Sequence, residues 1–87
     1  GIAEENQEEE INIYPNPTSG AFNLIMNNEQ GIMNAEINIY NVLGEKVYSK
    51  TINSKQETVN LSEASGIYLV KVKSENKSFV QKIIIQR

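Results

Sequence analysis

The 87-residue sequence predicts an all-β fold, and three observations support this prediction. Short runs rich in Ile, Val, Tyr and Phe alternate with polar residues, as strands with one buried face do. Seven such runs recur at intervals of roughly ten residues and are separated by clusters of turn-forming residues. No stretch shows a convincing helical period. The pattern therefore favours a seven-stranded antiparallel β-sandwich of immunoglobulin-like type, although spacing alone leaves a small closed barrel as the alternative.

The composition suits one small soluble domain, because 39% of the residues are hydrophobic and 22% are charged. A chain of this length buries only about 60% of its unfolded surface, so we expect a narrow margin of stability. The sequence contains neither Cys nor His, which leaves no disulfide to widen that margin. No apolar run approaches the roughly 18 residues that a membrane-spanning segment needs.

The charge is distributed unevenly along the chain. Five of the eleven acidic residues lie in residues 1–10, a polar stretch without periodicity that we interpret as a linker. A short helix at residues 3–7 is a weaker alternative there. Residues 11–87 carry six acids against eight Lys and Arg, a net charge of +2, and residues 66–87 carry five cations against Glu75. This basic end can meet an acidic partner, but lysines on exposed strands also commonly prevent aggregation.

The alternation of apolar and polar residues predicts the positions of the first two strands. Ile11 and Ile13 alternate with polar or amphipathic neighbours until the sequence PNPTSG, residues 15–20, ends the run. Its two prolines fix φ near about −65°, and Gly20 permits a positive φ, so we predict a rigid corner. The second strand has Phe22, Leu24 and Met26 on one face, and a turn cluster follows at residues 27–31.

Three further strands lead to the C-terminal quarter of the chain. In the third, Ala35, Ile37 and Ile39 are predicted to point inward. Gly44 suits a hairpin corner before a fourth strand at residues 47–52. The fifth is a short strand at residues 58–60, where we predict that Val59 and Leu61 point inward.

Residues 66–87 contain two apolar runs around the polar segment 74–77, which predicts a hairpin. In the first run Tyr68, Val70 and Val72 share the buried face, and Lys71 and Lys73 project from the other. The second run has large apolar groups on both faces. We therefore predict that this last strand is covered on more than one side.

The residue inventory argues against catalysis. Without His, Cys or Asp, the chain lacks the usual general base, the thiol nucleophile and most transition-metal ligands. We therefore predict no enzyme activity, no metal site and no cofactor. Most of the six aromatic residues alternate in step with their strands, so packing explains them better than sugar binding. Basic and aromatic residues interleave only in the last hairpin, which gives little support to nucleic-acid binding.

Four segments together resemble one family, the type A C-terminal sorting domain of cargo proteins exported by the type IX secretion system of Bacteroidota. They are YPNPTSG at residues 14–20, NVLGEKV at residues 41–47, Leu61–Ser62 with GIYLVKV at residues 66–72, and QKIIIQR at residues 81–87. Their order and spacing match across residues 11–87. Each piece also occurs elsewhere, but the four together are specific.

The resemblance implies that residues 11–87 form the sorting domain and that residues 1–10 are an acidic linker from an upstream cargo domain. Such domains direct their cargo from the periplasm across the outer membrane to the cell surface or beyond. The implied partners are the outer-membrane type IX translocon, its shuttle protein and a sortase-like cysteine peptidase. The peptidase commonly removes the domain, with release of the cargo or its attachment to anionic lipopolysaccharide.

The resemblance also implies that a set of residues forms a recognition motif. The alternative explanation is structural: the glycines of this set serve turn geometry and its prolines serve the rigidity of the corner. At the final position the family more usually has Lys, and Arg87 keeps the charge. We further hypothesise that the last strand docks through its edge by main-chain pairing. The alternative interpretation of the whole chain is that it is a non-catalytic adhesive or carbohydrate-binding sandwich appended to a surface enzyme. The motif residues are Pro15, Asn16, Pro17, Gly20, Gly44, Gly66, Tyr68, Lys71, Lys73, Lys82 and Arg87.

Overall fold

A computed structural model describes residues 11–26, 34–74 and 77–87. It contains all seven predicted strands within these ranges. The predicted linker with its alternative helix, the turn cluster at residues 27–31, and Glu75 and Asn76 lie outside the described residues. The strands are β1 (Ile11–Tyr14), β2 (Ala21–Met26), β3 (Ala35–Tyr40), β4 (Lys46–Ile52), β5 (Gln56–Asn60), β6 (Gly66–Ser74) and β7 (Lys77–Ile85).

The strands form two sheets, a three-stranded sheet of order β1-β2-β5 and a four-stranded sheet of order β4-β3-β6-β7. Every pair of neighbouring strands is antiparallel. An isolated parallel bridge joins Thr18, in the corner after β1, to Ile85 at the end of β7. The predicted immunoglobulin-like β-sandwich is confirmed, and the closed barrel is wrong because the strands divide into separate sheets.

The core lies between the two sheets and is built from alternate residues of most strands, as predicted, whereas β4 contributes only Ile52 as a buried side chain. Val59 and Leu61 are buried, and so are Tyr68, Val70 and Val72, while the intervening lysines of β6 are exposed. Burying a side chain of this size stabilises the fold by about 1.5–3 kcal/mol. The largest fully buried side chains are Phe22, Leu24, Ile37, Ile39, Val59, Val70, Val72, Ile83 and Ile85.

The prediction that β7 is covered on more than one side is wrong. Ile83 and Ile85 are buried and Phe79 packs against the core, but Val80 on the opposite face is 57% exposed. The reason is that the sandwich has only two sheets, so the outer face of the four-stranded sheet faces solvent at Val80 in β7 as it does at Ile67 and Leu69 in β6. Only near Ile84, which is half-buried, does another segment cover it.

One ion pair links β4 to β5, which belong to different sheets. Lys50 lies opposite Ile37 in β3, and Glu57 lies opposite Leu24 in β2, so both occupy inward register positions. Lys50 Nζ lies 2.6 Å from Glu57 Oε2. The pair therefore connects the two sheets at the side where β4 and β5 form their edges.

This ion pair predicts a pH-dependent stability. The hydrogen bond to Glu57 raises the pKa of Lys50 above its usual 10.5. A raised folded-state pKa contributes stability below pH 10.5, and the contribution is lost as the pH rises through the folded value. We expect Lys50→Gln to lower the urea-unfolding midpoint modestly at neutral pH, and the difference from wild type to shrink in strongly alkaline buffer.

Burial also raises the pKa of Tyr48, so wild type itself loses stability at high pH, and wild type and Lys50→Gln are therefore compared at each pH. Lys46→Gln, on the same strand, is the control for removing a positive charge. A Lys50→Gln difference that stays constant from neutral to strongly alkaline pH would contradict the assignment.

Candidate functional site

The residues predicted for recognition fall into two groups in the structure. The corner group surrounds residues 15–20 and the end of β7. The turn group surrounds residues 41–45 and the outer face of β6. Tyr68 is buried, and its hydroxyl donates to the Ala64 carbonyl oxygen at 2.7 Å, so its contact with the turn group is limited to the wall of a small groove beside the turn. The corner group contains Pro15, Asn16, Pro17, Gly20, Lys82 and Arg87, and the turn group contains Gly44, Gly66 and Lys71, with Lys73 further along the same face.

The corner pairs with the outer edge of β7. Asn16 Nδ2 donates to the Lys82 carbonyl oxygen, and Asn16 Oδ1 accepts from the Ile84 amide, both at 3.0 Å. The side-chain amide thus pairs with β7 as a backbone peptide would. Beyond it, the Thr18 amide donates to Ile84 O at 2.9 Å, and the Gln86 amide donates to Thr18 O at 2.7 Å. The C-terminal half of the β7 edge is therefore already hydrogen-bonded.

The shape of the corner depends on Thr18 and Gly20. Both peptide bonds that precede the prolines are cis. The buried Thr18 hydroxyl donates to Ala21 O at 2.6 Å and accepts from the Gly20 amide at 3.1 Å. Gly20 has φ 128°, and a Cβ there would lie 2.7 Å from Leu61 O. The predicted positive φ is confirmed, and the close approach is an additional reason for glycine.

Thr18 was not among the predicted motif residues. A Thr followed by Ser and Gly after a proline is typical of a turn in which the hydroxyl bonds to the backbone. That signal was present in the sequence. It indicates a local turn, however, and does not indicate the pairing of Thr18 with β7.

Arg87 ties the end of the chain to the loop before β6. Its amide donates to Ser65 Oγ at 2.9 Å, and its Nε donates to Glu63 O at 2.7 Å. Its Nη2 donates to Leu61 O. The planar guanidinium therefore serves two carbonyl oxygens from two different nitrogens, a geometry that a lysine ammonium does not reproduce.

The turn group is built around Asn41. The Asn41 side-chain oxygen accepts from the Leu43 and Glu45 amides at 2.9 and 3.0 Å, and its Nδ2 donates to Glu45 Oε1 at 2.9 Å. The Asn41 backbone bonds to Glu45 O and Gly44 N, both at 3.0 Å. Gly44 has φ 86°, as the predicted hairpin corner requires. This turn holds Val42 and Leu43 in solvent, 77% and 79% exposed.

Two grooves border this turn. The larger has a volume of about 560 Å³, with Tyr40, Ile67 and Leu69 among its walls. Lys71 also lines it and places its ammonium 5.6 Å from the centre of the Tyr40 ring, within cation–π range. The smaller groove, of about 410 Å³, lies between the turn and residues 65–68. The outer face of the four-stranded sheet is therefore apolar near the turn, with a cation at its border.

Within residues 11–26, 34–74 and 77–87 there is no cluster of three or more His, Cys, Asp or Glu residues that could hold a metal ion. The same ranges contain no helix long and apolar enough to cross a membrane. The corner group and the turn group are therefore the candidates that the described part of the chain offers.

Comparison with known proteins gives matches to a family model and to solved structures. A family model described as a secretion system C-terminal sorting domain matches residues 12–86. A solved structure of PorZ, described as an essential bacterial surface component of the type-IX secretion system of Porphyromonas gingivalis, is 18% identical with a TM-score of 0.73. That match covers 100% of this chain and 13% of the PorZ chain, and at this identity it supports the fold alone. No curated protein matches the sequence. The family model spans nearly the whole chain, and the chain belongs to the family of type IX secretion C-terminal sorting domains.

Proposed function

We propose that this domain is the signal that carries an attached cargo protein through the type IX secretion system and across the outer membrane. The observation that carries the proposal is the family match over residues 12–86. The fold agrees with it, because a small rigid sandwich with a preorganised corner and turn can be recognised by its shape. The domain acts in this proposal as a docking module without catalytic activity of its own.

The proposed partners are the outer-membrane translocon and its shuttle protein, which meet the domain after transit through the periplasm. A sortase-like cysteine peptidase then cuts on the side of the acidic linker, residues 1–10, which precedes the first strand. The cargo is released or attached to lipopolysaccharide. The cell surface or the medium is the destination.

The proposed docking edge of the last strand is shorter than the sequence indicated. The amides of Ile84 and Gln86 point away from β6, toward the corner. By the alternation of a strand, the backbone groups of Ser78 and Val80 and the amide of Lys82 point the same way. Pairing with a partner strand would therefore use the first half of β7, since the corner already pairs with the second half.

The secretion role is tested with a reporter. We expect the 87-residue chain, fused to the C-terminus of an unrelated exported protein, to bring that protein to the surface or medium in a strain with an intact type IX translocon. An isogenic strain without the translocon should retain it. The same reporter without the domain is the control. Equal retention in both strains would contradict the proposal and favour the adhesive or carbohydrate-binding alternative.

The edge is tested by two substitutions at one exposed position. Val80→Pro removes the outward-pointing amide, which an edge strand tolerates, whereas Val80→Ser removes the same apolar side chain and keeps the amide. We expect Val80→Pro to reduce secretion of the reporter and Val80→Ser to leave it near the wild-type level. Equal secretion of the two variants would show that main-chain pairing at this edge is not used.

A further inference from the structure

We propose that the turn at residues 41–45, with the larger groove beside it, is a contact surface for the secretion machinery, and that its partner is an acidic protein segment bearing a large apolar side chain. This inference rests on the proposed function. It adds a second contact surface, separate from the β7 edge, and states the chemistry of the partner.

The first argument is the exposure of two apolar residues on a fixed turn. Val42 and Leu43 add nothing to the core at 77% and 79% exposure. Five hydrogen bonds centred on Asn41 nevertheless hold the turn in one shape. Because the turn is already ordered, it loses little conformational entropy when a partner covers these side chains.

The second argument is the groove itself. Its walls continue the apolar surface of the turn through Ile67 and Leu69, which are 46% and 44% exposed. At about 560 Å³ it has room for a large side chain, and buried aromatic or aliphatic anchors of this kind dominate binding at protein interfaces. A protein partner can thus cover the exposed turn and fill the groove at the same time.

The third argument is charge. Lys71 borders the groove, Lys82 lies opposite Leu69 in the register of β6 and β7, and Lys73 lies opposite Glu36. The described part of this outer face therefore carries more positive than negative charge. Packing this face against the same face of a second copy would bring like charges together, whereas an acidic segment is complementary.

The test measures binding of the 87-residue chain to the type IX translocon purified in detergent, by biolayer interferometry. We expect the double variant Val42→Ser with Leu43→Ser to bind at least about tenfold more weakly. Lys71→Glu should weaken binding several-fold, with the loss larger at low salt. Lys55→Glu, in an exposed loop away from the groove, is the matched control for charge reversal and should bind within about twofold of wild type.

The midpoint of thermal unfolding shows whether a variant binds weakly because it lost a contact with the partner or because it unfolded. Val42 and Leu43 lie outside the core, so their substitution should leave the midpoint unchanged. The inference would be overturned if the double variant bound the translocon as tightly as wild type, or if wild type did not bind it.

Two further results would also overturn the inference. One is that wild type binds phosphatidylglycerol vesicles equally tightly and the double variant does not. The other is that wild type dimerises in sedimentation equilibrium and the double variant does not. If wild type and the double variant secrete the reporter equally, this inference alone fails, whereas translocon-independent retention of the wild-type reporter contradicts the proposed function.

Discussion

Gly20→Ala is expected to remove most of the domain's stability. A non-glycine residue at φ 128° is strained by about 1–3 kcal/mol. The added Cβ would also lie 2.7 Å from Leu61 O and 2.8 Å from Arg87 Nη2, and relieving such overpacking costs about 1–3 kcal/mol more. We expect a total loss of about 2–6 kcal/mol, measured as the change in free energy of unfolding by urea.

Gly44→Ala is the matched control for this prediction. Gly44 also has a positive φ, 86°, but a Cβ there would meet no atom within 4 Å. Its substitution should therefore cost only the backbone strain, about 1 kcal/mol. If Gly20→Ala and Gly44→Ala cost the same, the close approach of Gly20 to Leu61 and Arg87 does not contribute to stability.

The second large effect is expected at Arg87. Arg87→Ala removes the hydrogen bonds from the guanidinium to Leu61 O and Glu63 O, at about 1 kcal/mol for each. Arg87→Lys keeps the charge but places its donors on one nitrogen, so it should recover only part of the loss. We expect the order of stability in urea to be wild type, then Arg87→Lys, then Arg87→Ala.

This order separates two interpretations of the last residue. If only a positive charge is needed, as the usual Lys of the family implies, Arg87→Lys should match wild type in both stability and reporter secretion. If the guanidinium holds the loop before β6 in place, Arg87→Lys should be measurably less stable. Lys82→Ala is the control for the stability measurement. Lys82 is exposed, and it bonds to the corner through its backbone carbonyl, which the substitution keeps.

The sequence predicts those parts of the fold that depend on local pattern. Alternation identifies the buried face of β6 at Tyr68, Val70 and Val72, and turn chemistry identifies the positive φ of Gly20 and the hairpin corner at Gly44. Both signals arise within a few residues of the position that they describe. The strand order of the sheets and the division of seven strands between them do not follow from such signals.

The contacts of the candidate site are mostly long-range and were not predicted. Asn16 bonds to residues 66 and 68 positions away, and Arg87 bonds to carbonyls 24 and 26 positions away. A local pattern does not indicate which distant backbone groups a side chain will reach. The sequence also misplaced Val80, because an apolar residue on the outer face of an edge strand has the same pattern as one that is buried.

The pairing of Asn16 and Thr18 with β7 bears on how the domain behaves when many copies are crowded together. A long, flat, open strand edge is a template on which identical sheets stack into fibrils. Here the corner pairs with the second half of β7, which shortens the template that this edge offers. Substitutions that release the corner would lengthen the template, and copies awaiting export would then aggregate at lower concentrations.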